Sequence, residues 1–332
     1  MDLIQLGHGS GGRMMHDLIR EHFAPVFGIE ELNDSAIVPN RRSGRIAITT
    51  DSYVVSPLFF PGGDIGRLAV CGTVNDLSVS GAEPLYMTAG FIIEEGFPFG
   101  DLRRVLDSMR AAAEEAGIRI VAGDTKVVDR GKADGLFINT AGFGVVEDGV
   151  DLSPLMIRPG DRVILSGSIG NHGVAVMAER NGISFDPPLL SDVGPLSTLA
   201  RRMLGATRNI RVMRDPTRGG LATTLKEIAA ESGRCIVVYE DAIRVRPGVR
   251  GACELLGLDP LYIANEGILV AVVDAADTAA LTRVMKETRA GAESVVIGEV
   301  AESPGKTVLL KTAVGGIRIL DMLSGDQLPR IC

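Results

Sequence analysis

A turn-rich stretch near the middle of the chain, residues 147–161 (EDGVDLSPLMIRPGD), most constrains what this sequence can fold into. Gly149, Pro154, Pro159 and Gly160 break any periodic structure there, and strand and helix patterns interleave on both sides of it. Interleaved elements of this kind pack as layered α/β or α+β units. A chain of 332 residues also exceeds what one hydrophobic core usually serves. The chain therefore reads as two domains, 1–150 and 151–315, followed by a tail, 316–332.

The element pattern is specific. Residues 64–80 read as a helix, because Ile65, Leu68, Cys71 and Leu77 recur every three to four positions. Residues 101–116 form an amphipathic helix ended by Gly117. Further helices are expected over 13–23, 172–181, 195–204, 219–232 and 277–288. Strands are expected over 45–50, ending at Asp51, and over 85–93, 118–121, 136–146, 162–165, 235–239, 268–273 and 295–300. After Leu320 the pattern loses its period and includes Gly325 and Pro329, so a flexible arm is expected there.

Bulk properties narrow the function classes. The net charge of −8 argues against broad nucleic-acid or anionic-membrane binding. No apolar run reaches the ~18 residues that cross a bilayer. The N-terminus has no basic segment and no long apolar stretch, so no signal peptide is read and a cytoplasmic protein is expected. The four cysteines contain no CxxC pair, which gives neither a disulfide framework nor a zinc site. Cys71, Cys235 and Cys253 fit as small buried hydrophobes. Cys332 is the exception, as the final residue.

Residues 7–12 (GHGSGG) match a dinucleotide-binding spacing through Gly7, Gly9 and Gly12. That fingerprint needs a flanking strand and an acid-ended second strand about 20 residues on, and residues 25–31 make a poor strand. A plain loop and a backbone nest that closes over phosphates, through Gly9, Gly11 and Gly12, are the other readings. A P-loop is excluded, because Val300 stands where its first glycine must be.

The carboxylates carry more. Asp34, Asp51, Asp76, Asp124 and Asp215 each sit beside Asn, Thr or Gly rather than on a charged helical face. Any one alone reads as a cap or turn residue. Together they favour a shared task, and Mg2+ joins carboxylates to phosphates through oxygen ligands. Asn171, opening a helix after a strand, could face an anion, whereas the adjacent His172 reads as structural. Glu266 precedes an apolar strand, either as a turn carboxylate or as a site residue.

Taken together, the glycine-rich loop, VNDLSVSGAEP, VAGDTKVV and RDPTRGG resemble one superfamily along nearly the whole chain. It holds the ATP-dependent aminoimidazole ribonucleotide synthetases, selenophosphate synthetases and thiamine-monophosphate kinases. LGHGSGGRMMHDLI at the start and PRIC at the end are similar to its HypE-type branch, the carbamoyl dehydratases of nickel–iron hydrogenase maturation. The resemblance implies a two-domain synthetase-like α+β fold whose N-terminal sheet domain binds ATP and pairs across a homodimer. It implies Asp34, Asp51, Asp76 and Asp215 as metal–phosphate ligands, Asp124 and Lys126 near the reactive end of ATP, and Glu266 as a proton acceptor near the tail. It further implies that a partner, HypF, loads a carbamoyl group on Cys332, and that the HypC–HypD complex receives the cyano group.

The chemistry is coherent with those residues. A carbamoyl oxygen leaves only after phosphorylation, Mg2+ offsets the charge on the transferring phosphoryl, and Lys126 adds a further positive charge. Glu266 would then take an N–H proton. A thiolate is a suitable carbamoyl acceptor, and the last eight residues could reach about 26–29 Å. Selenophosphate synthesis is disfavoured, because residues 7–16 lack both Cys and Lys. A small-molecule kinase leaves Cys332 unexplained, and a non-catalytic carrier leaves the aspartate set unexplained.

Overall fold

The structure, a computed structural model, describes residues 3–5, 8, 17–28, 43–322 and 331–332. Gly9, Gly11, Gly12, Asp34, the start of the helix expected over 13–23, and residues 323–330 of the tail lie outside the described residues.

The first domain is built on a four-stranded sheet made of β1 (Arg45–Tyr53), β4 (Ala82–Glu94), β5 (Arg119–Val128) and β6 (Leu136–Val146), in the order β1-β6-β4-β5. A small hairpin, β2 (Phe59–Phe60) and β3 (Gly63–Asp64), leads into helix α1 (Ile65–Val79). The Asp64 carboxylate caps α1 by accepting from the Gly66 and Arg67 amides at 2.7 and 3.0 Å. β4 and β5 run parallel, and parallel neighbours need a crossover, here α2 (Phe99–Ala116). Both helices cover one face of the sheet, burying Leu68, Val74, Met87, Phe91, Leu106 and Ile138 among others. Along β1 the odd residues turn toward α1 and the even ones outward, leaving Ile46 and Ile48 exposed.

The second domain is a seven-stranded mixed sheet in the order β13-β12-β9-β11-β7-β10-β8. Its strands are β7 (Arg162–Leu165), β8 (Ile210–Arg214), β9 (Arg234–Tyr239), β10 (Val270–Val273), β11 (Val295–Pro304), β12 (Val308–Lys311) and β13 (Ile317–Leu320). Five helices accompany them: α3 (Asn171–Arg180), α4 (Ser197–Ala206), α5 (Gly220–Ser232), α6 (Pro247–Leu256) and α7 (Thr278–Lys286). Alternation divides the strands between two cores. Val163, Leu165, Val270 and Val272 meet α5 on one face, and Ile164, Ala271 and Val273 meet α4 and α7 on the other.

The turn-rich linker is tied down from the second domain. Buried Arg211 on β8 pairs with Asp161 at 3.3 Å and with Asp274 at 2.8 Å, and its carbonyl accepts from the Ser153 amide at 2.8 Å. Two expectations are corrected. The tail drawn from residue 316 begins later, because Ile317–Leu320 pairs with β12 as the edge strand of the sheet. Asp124 does not follow a strand but lies inside one, since β5 runs on to Val128. Among the described residues no helix is long and apolar enough to cross a membrane.

Candidate functional site

The period of β1 aims Thr49, Asp51 and Tyr53 at α1, where Thr73 and Asp76 stand one helical turn apart. The Thr49 hydroxyl donates to Asp76 Oδ2 at 2.8 Å, and Tyr53 Oη donates to Asp51 Oδ2 at 3.2 Å. Asp215 reaches the same place from the turn between β8 and α5. That turn closes through Gly219 and Gly220, both at positive φ, and a Cβ on Gly220 would stand 2.6 Å from the Leu261 carbonyl oxygen. Only glycine permits this approach.

Three carboxylates in one partly dry place repel each other. Burial first, and then Asp51, push Asp76 up to about 6. Burial and then Asp76 push Asp215 up to about 7, with Arg214 opposing. Glu266 is buried at 2% exposure, and its Oε1 has no hydrogen-bond partner among the described residues. Its carboxyl is held well above the ordinary range by burial and then by Asp215, Asp192, Asp51 and Asp76.

The backbone around Glu266 is clamped. Buried Asn75 on α1 donates to the Gly194 and Glu266 carbonyls at 3.1 and 3.2 Å and accepts from the Leu196 amide at 2.8 Å. Asp192 Oδ2 accepts from the Glu266 and Gly267 amides at 3.0 and 2.9 Å. A Cβ on Gly267 would overlap the Asp192 carbonyl oxygen, so this approach also requires glycine.

The last two residues dock at the same place. Ile331 is buried in the first core and Cys332 packs against it. The Val54 amide donates to the Cys332 oxygen at 3.3 Å. Burial and then the neighbouring Glu266 carboxyl push the Cys332 thiol up to about 12, with Arg218 opposing. Asp51, Asp76, Asp215, Glu266 and Cys332 are thus brought within electrostatic reach of one another.

Other expected residues are not brought there. Asp124 pairs with Lys126 at 3.2 Å, and both are exposed. They sit on β5 opposite Gly90 and Ile92 of β4, on the outer face of the sheet, whereas Asp51 faces inward from the opposite edge strand. Asn171 is buried with its amide committed to Ser168, and it lines a cavity of about 940 Å³ with Arg67, Asp192, Arg202 and Arg246. Thr49 and Tyr53 flank Asp51 at the two-residue period of a strand, and Asn75 adjoins Asp76; those spacings are the sequence signal for all three. Asp192 carries no such signal, because its role depends on a fold-back no local pattern announces.

Among the described residues no three His, Cys, Asp or Glu side chains converge tightly enough to cage a metal by themselves. The donor set still fits Mg2+. It consists of carboxylate oxygens under mutual repulsion, and Mg2+ usually takes one or two carboxylates plus phosphate oxygens and water.

The AIR synthase related protein family matches through its N-terminal domain over residues 32–146 and its C-terminal domain over 158–311. The two sheets, with acids gathered where they meet, are therefore those of an AIR synthase related protein. The carbamoyl dehydratase HypE of Bradyrhizobium diazoefficiens is 55% identical over 99% of this chain and 96% of its own length. A crystal structure of HypE in complex with ATP is 46% identical and superposes with a TM-score of 0.95 over 99% of this chain and 100% of that one. HypE in a HypE–HypF complex is 47% identical, with a TM-score of 0.81 over 92% of this chain and 99% of that one. The chain belongs to the HypE family of carbamoyl dehydratases involved in hydrogenase maturation.

Proposed function

We propose that this chain dehydrates a carbamoyl group carried on Cys332 to a thiocyanate, at the expense of ATP. The observation that carries the reading is the docking of Cys332 within electrostatic reach of Glu266 and Asp51, where Glu266 is buried, has an Oε1 without a hydrogen-bond partner among the described residues, and in turn feels Asp76 and Asp215. A carrier alone has no need of such a carboxylate set.

Asp51, Asp76 and Asp215 would hold Mg2+ with its nucleotide, joined by Asp34 and the glycine backbone of residues 9–12 on the strength of the resemblance. When bound, ATP supplies the phosphoryl group that makes the carbamoyl oxygen a leaving group, and Mg2+ offsets its charge. The carbamoyl nitrogen carries two protons: one leaves as the oxygen is phosphorylated and ADP is released, and Glu266 takes the second as the oxygen departs with phosphate, which leaves S–C≡N on Cys332. Its raised pKa, set first by burial and then by the neighbouring carboxylates, makes it a stronger base than an exposed carboxylate, and bound cations would relieve the second of these causes. The docked thiol is protonated, so carbamoyl loading belongs to an undocked tail that can present a thiolate.

The partners we infer are a HypF-type carbamoyltransferase as donor, a HypC–HypD-type complex as acceptor and a second copy of this chain. The second copy accounts for Asp124 and Lys126. From the outer face they can serve a nucleotide only across a sheet-to-sheet interface. Asn171, with its amide spent on Ser168, has no part in this reading.

The test is the mass of the C-terminal peptide after incubation with the carbamoyltransferase, its carbamoyl donor and ATP. Wild type should gain a carbamoyl group and then lose one water, and Cys332→Ala should do neither. Modification of Cys71, Cys235 or Cys253 instead, or full activity of Cys332→Ala, would sink the reading.

A further inference from the structure

His172 opens α3, and the chemistry above leaves it unused. Its ring is fully buried, at 0% exposure, and stands edge-on to Phe60 at 5.4 Å. Nε2 lies 2.9 Å from the Ile331 carbonyl oxygen, and Nδ1 lies 2.9 Å from Ser191 Oγ. A carbonyl oxygen can only accept, so Nε2 carries the proton. Burial pulls His172 down to about 4 and keeps the ring neutral, so Nδ1 accepts from the Ser191 hydroxyl. Ser191 Oγ in turn accepts from the Val193 amide at 3.0 Å. The donors therefore run in one direction, from Val193 to Ser191 to His172 to Ile331.

The acceptor at the end of that chain is 159 positions away in sequence, on the segment that carries the reacting sulfur. His172 comes from the second domain and Val54 from the first, so the docked dipeptide is gripped from both sides. We propose that His172 is a positioning residue that reads the main-chain carbonyl of Ile331 and thereby fixes the Cys332 sulfur beside Glu266. Because it grips backbone rather than the Cys332 side chain, the grip is indifferent to what the sulfur carries. When the tail departs, the imidazole N–H loses this partner, which biases the tail toward return. The inference rests on the reading that Cys332 bears the reacting group.

The test is the alkylation rate of each cysteine by iodoacetamide in the full chain, without nucleotide or partners, read by peptide mass. In wild type Cys332 should react slowly. His172→Ala should speed Cys332 by about tenfold, the size of one lost hydrogen bond, while Cys71, Cys235 and Cys253 remain protected. His172→Gln, whose amide N–H can stand in for Nε2–H, should stay near wild type. The proposal is overturned if Cys332 reacts at the wild-type rate in His172→Ala, if all four cysteines accelerate together, or if His172→Gln behaves like His172→Ala. In a second arm, His172→Ala should accept the carbamoyl group no more slowly than wild type, because its tail is more often undocked, but lose water about tenfold more slowly. Absence of water loss in wild type would count against the dehydratase reading alone, because the alkylation arm needs neither ATP nor carbamoyl.

Discussion

Asp76 and Asp215 are placed where their charges are costly, and that cost has a pH signature. An acid with a raised folded pKa keeps its proton longer in the native state than in the unfolded chain. Its contribution to stability therefore falls as pH climbs from the ordinary 3.8 through about 6 for Asp76 and about 7 for Asp215. Asp215→Asn removes that penalty. In nucleotide-free, metal-free protein the variant should match wild type near pH 4 and exceed it by about 1–3 kcal/mol at pH 8. It should also weaken Mg2+-dependent ATP binding, because a ligand oxygen carrying charge is lost. Urea midpoints across that window and a nucleotide titration check the two halves. A stability difference that does not vary with pH would show that Asp215 is not strained by its neighbours.

α1 is the element on which the site depends. Almost every side chain on it is buried, and one turn presents Thr73 and Asp76 to β1 while Asn75 reaches into the second domain. Asn75 makes three hydrogen bonds to the backbone of 194–196 and 266, and no alanine can replace them. Asn75→Ala should cost about 2–4 kcal/mol, since buried carbonyls and an amide lose their partners. It should slow water loss from the carbamoylated tail as well, because the Glu266 backbone is freed. A urea midpoint within error of wild type would show that the clamp is redundant with the Asp192 contacts.

For the whole molecule, the outer face of the first sheet is the feature that asks for a partner. Ile46 and Ile48 are 57% and 75% exposed, Ile92 is 44% exposed, and Tyr86 and Phe143 pack side by side at 6.4 Å on the same face. A contiguous apolar sheet face is a liability unless covered. With Asp124 and Lys126 at its edge, this is the face on which the second copy proposed above would pack. The double variant Ile46→Glu, Ile48→Glu should be a folded monomer by light scattering and circular dichroism. A dimer that survives both charges would place the interface elsewhere.

Local patterns determined most of the elements. The spacing of Ile65, Leu68, Cys71 and Leu77 predicts α1 to within a residue or two, and the apolar run at 136–146 coincides with β6. Both are signals carried by neighbours along the chain. β8 escaped notice because Arg211 interrupts its apolar run, and the arginine is tolerated only because Asp161 and Asp274 meet it in the fold. α6 was hidden by Pro247, Gly248 and Gly251, though Pro247 merely occupies the first helical turn. The chemical character of the site was legible as well, since Asp51, Asp76, Asp215, Glu266 and Cys332 each stand in short, unusual contexts. What only the tertiary structure decided is which of them meet. Side-chain direction along β1 and β5 places Asp51 inside and Asp124 and Lys126 outside, and register between strands is a long-range property. The same holds for His172, ordinary at the start of a helix and informative only once the carbonyl of Ile331 lies against its ring.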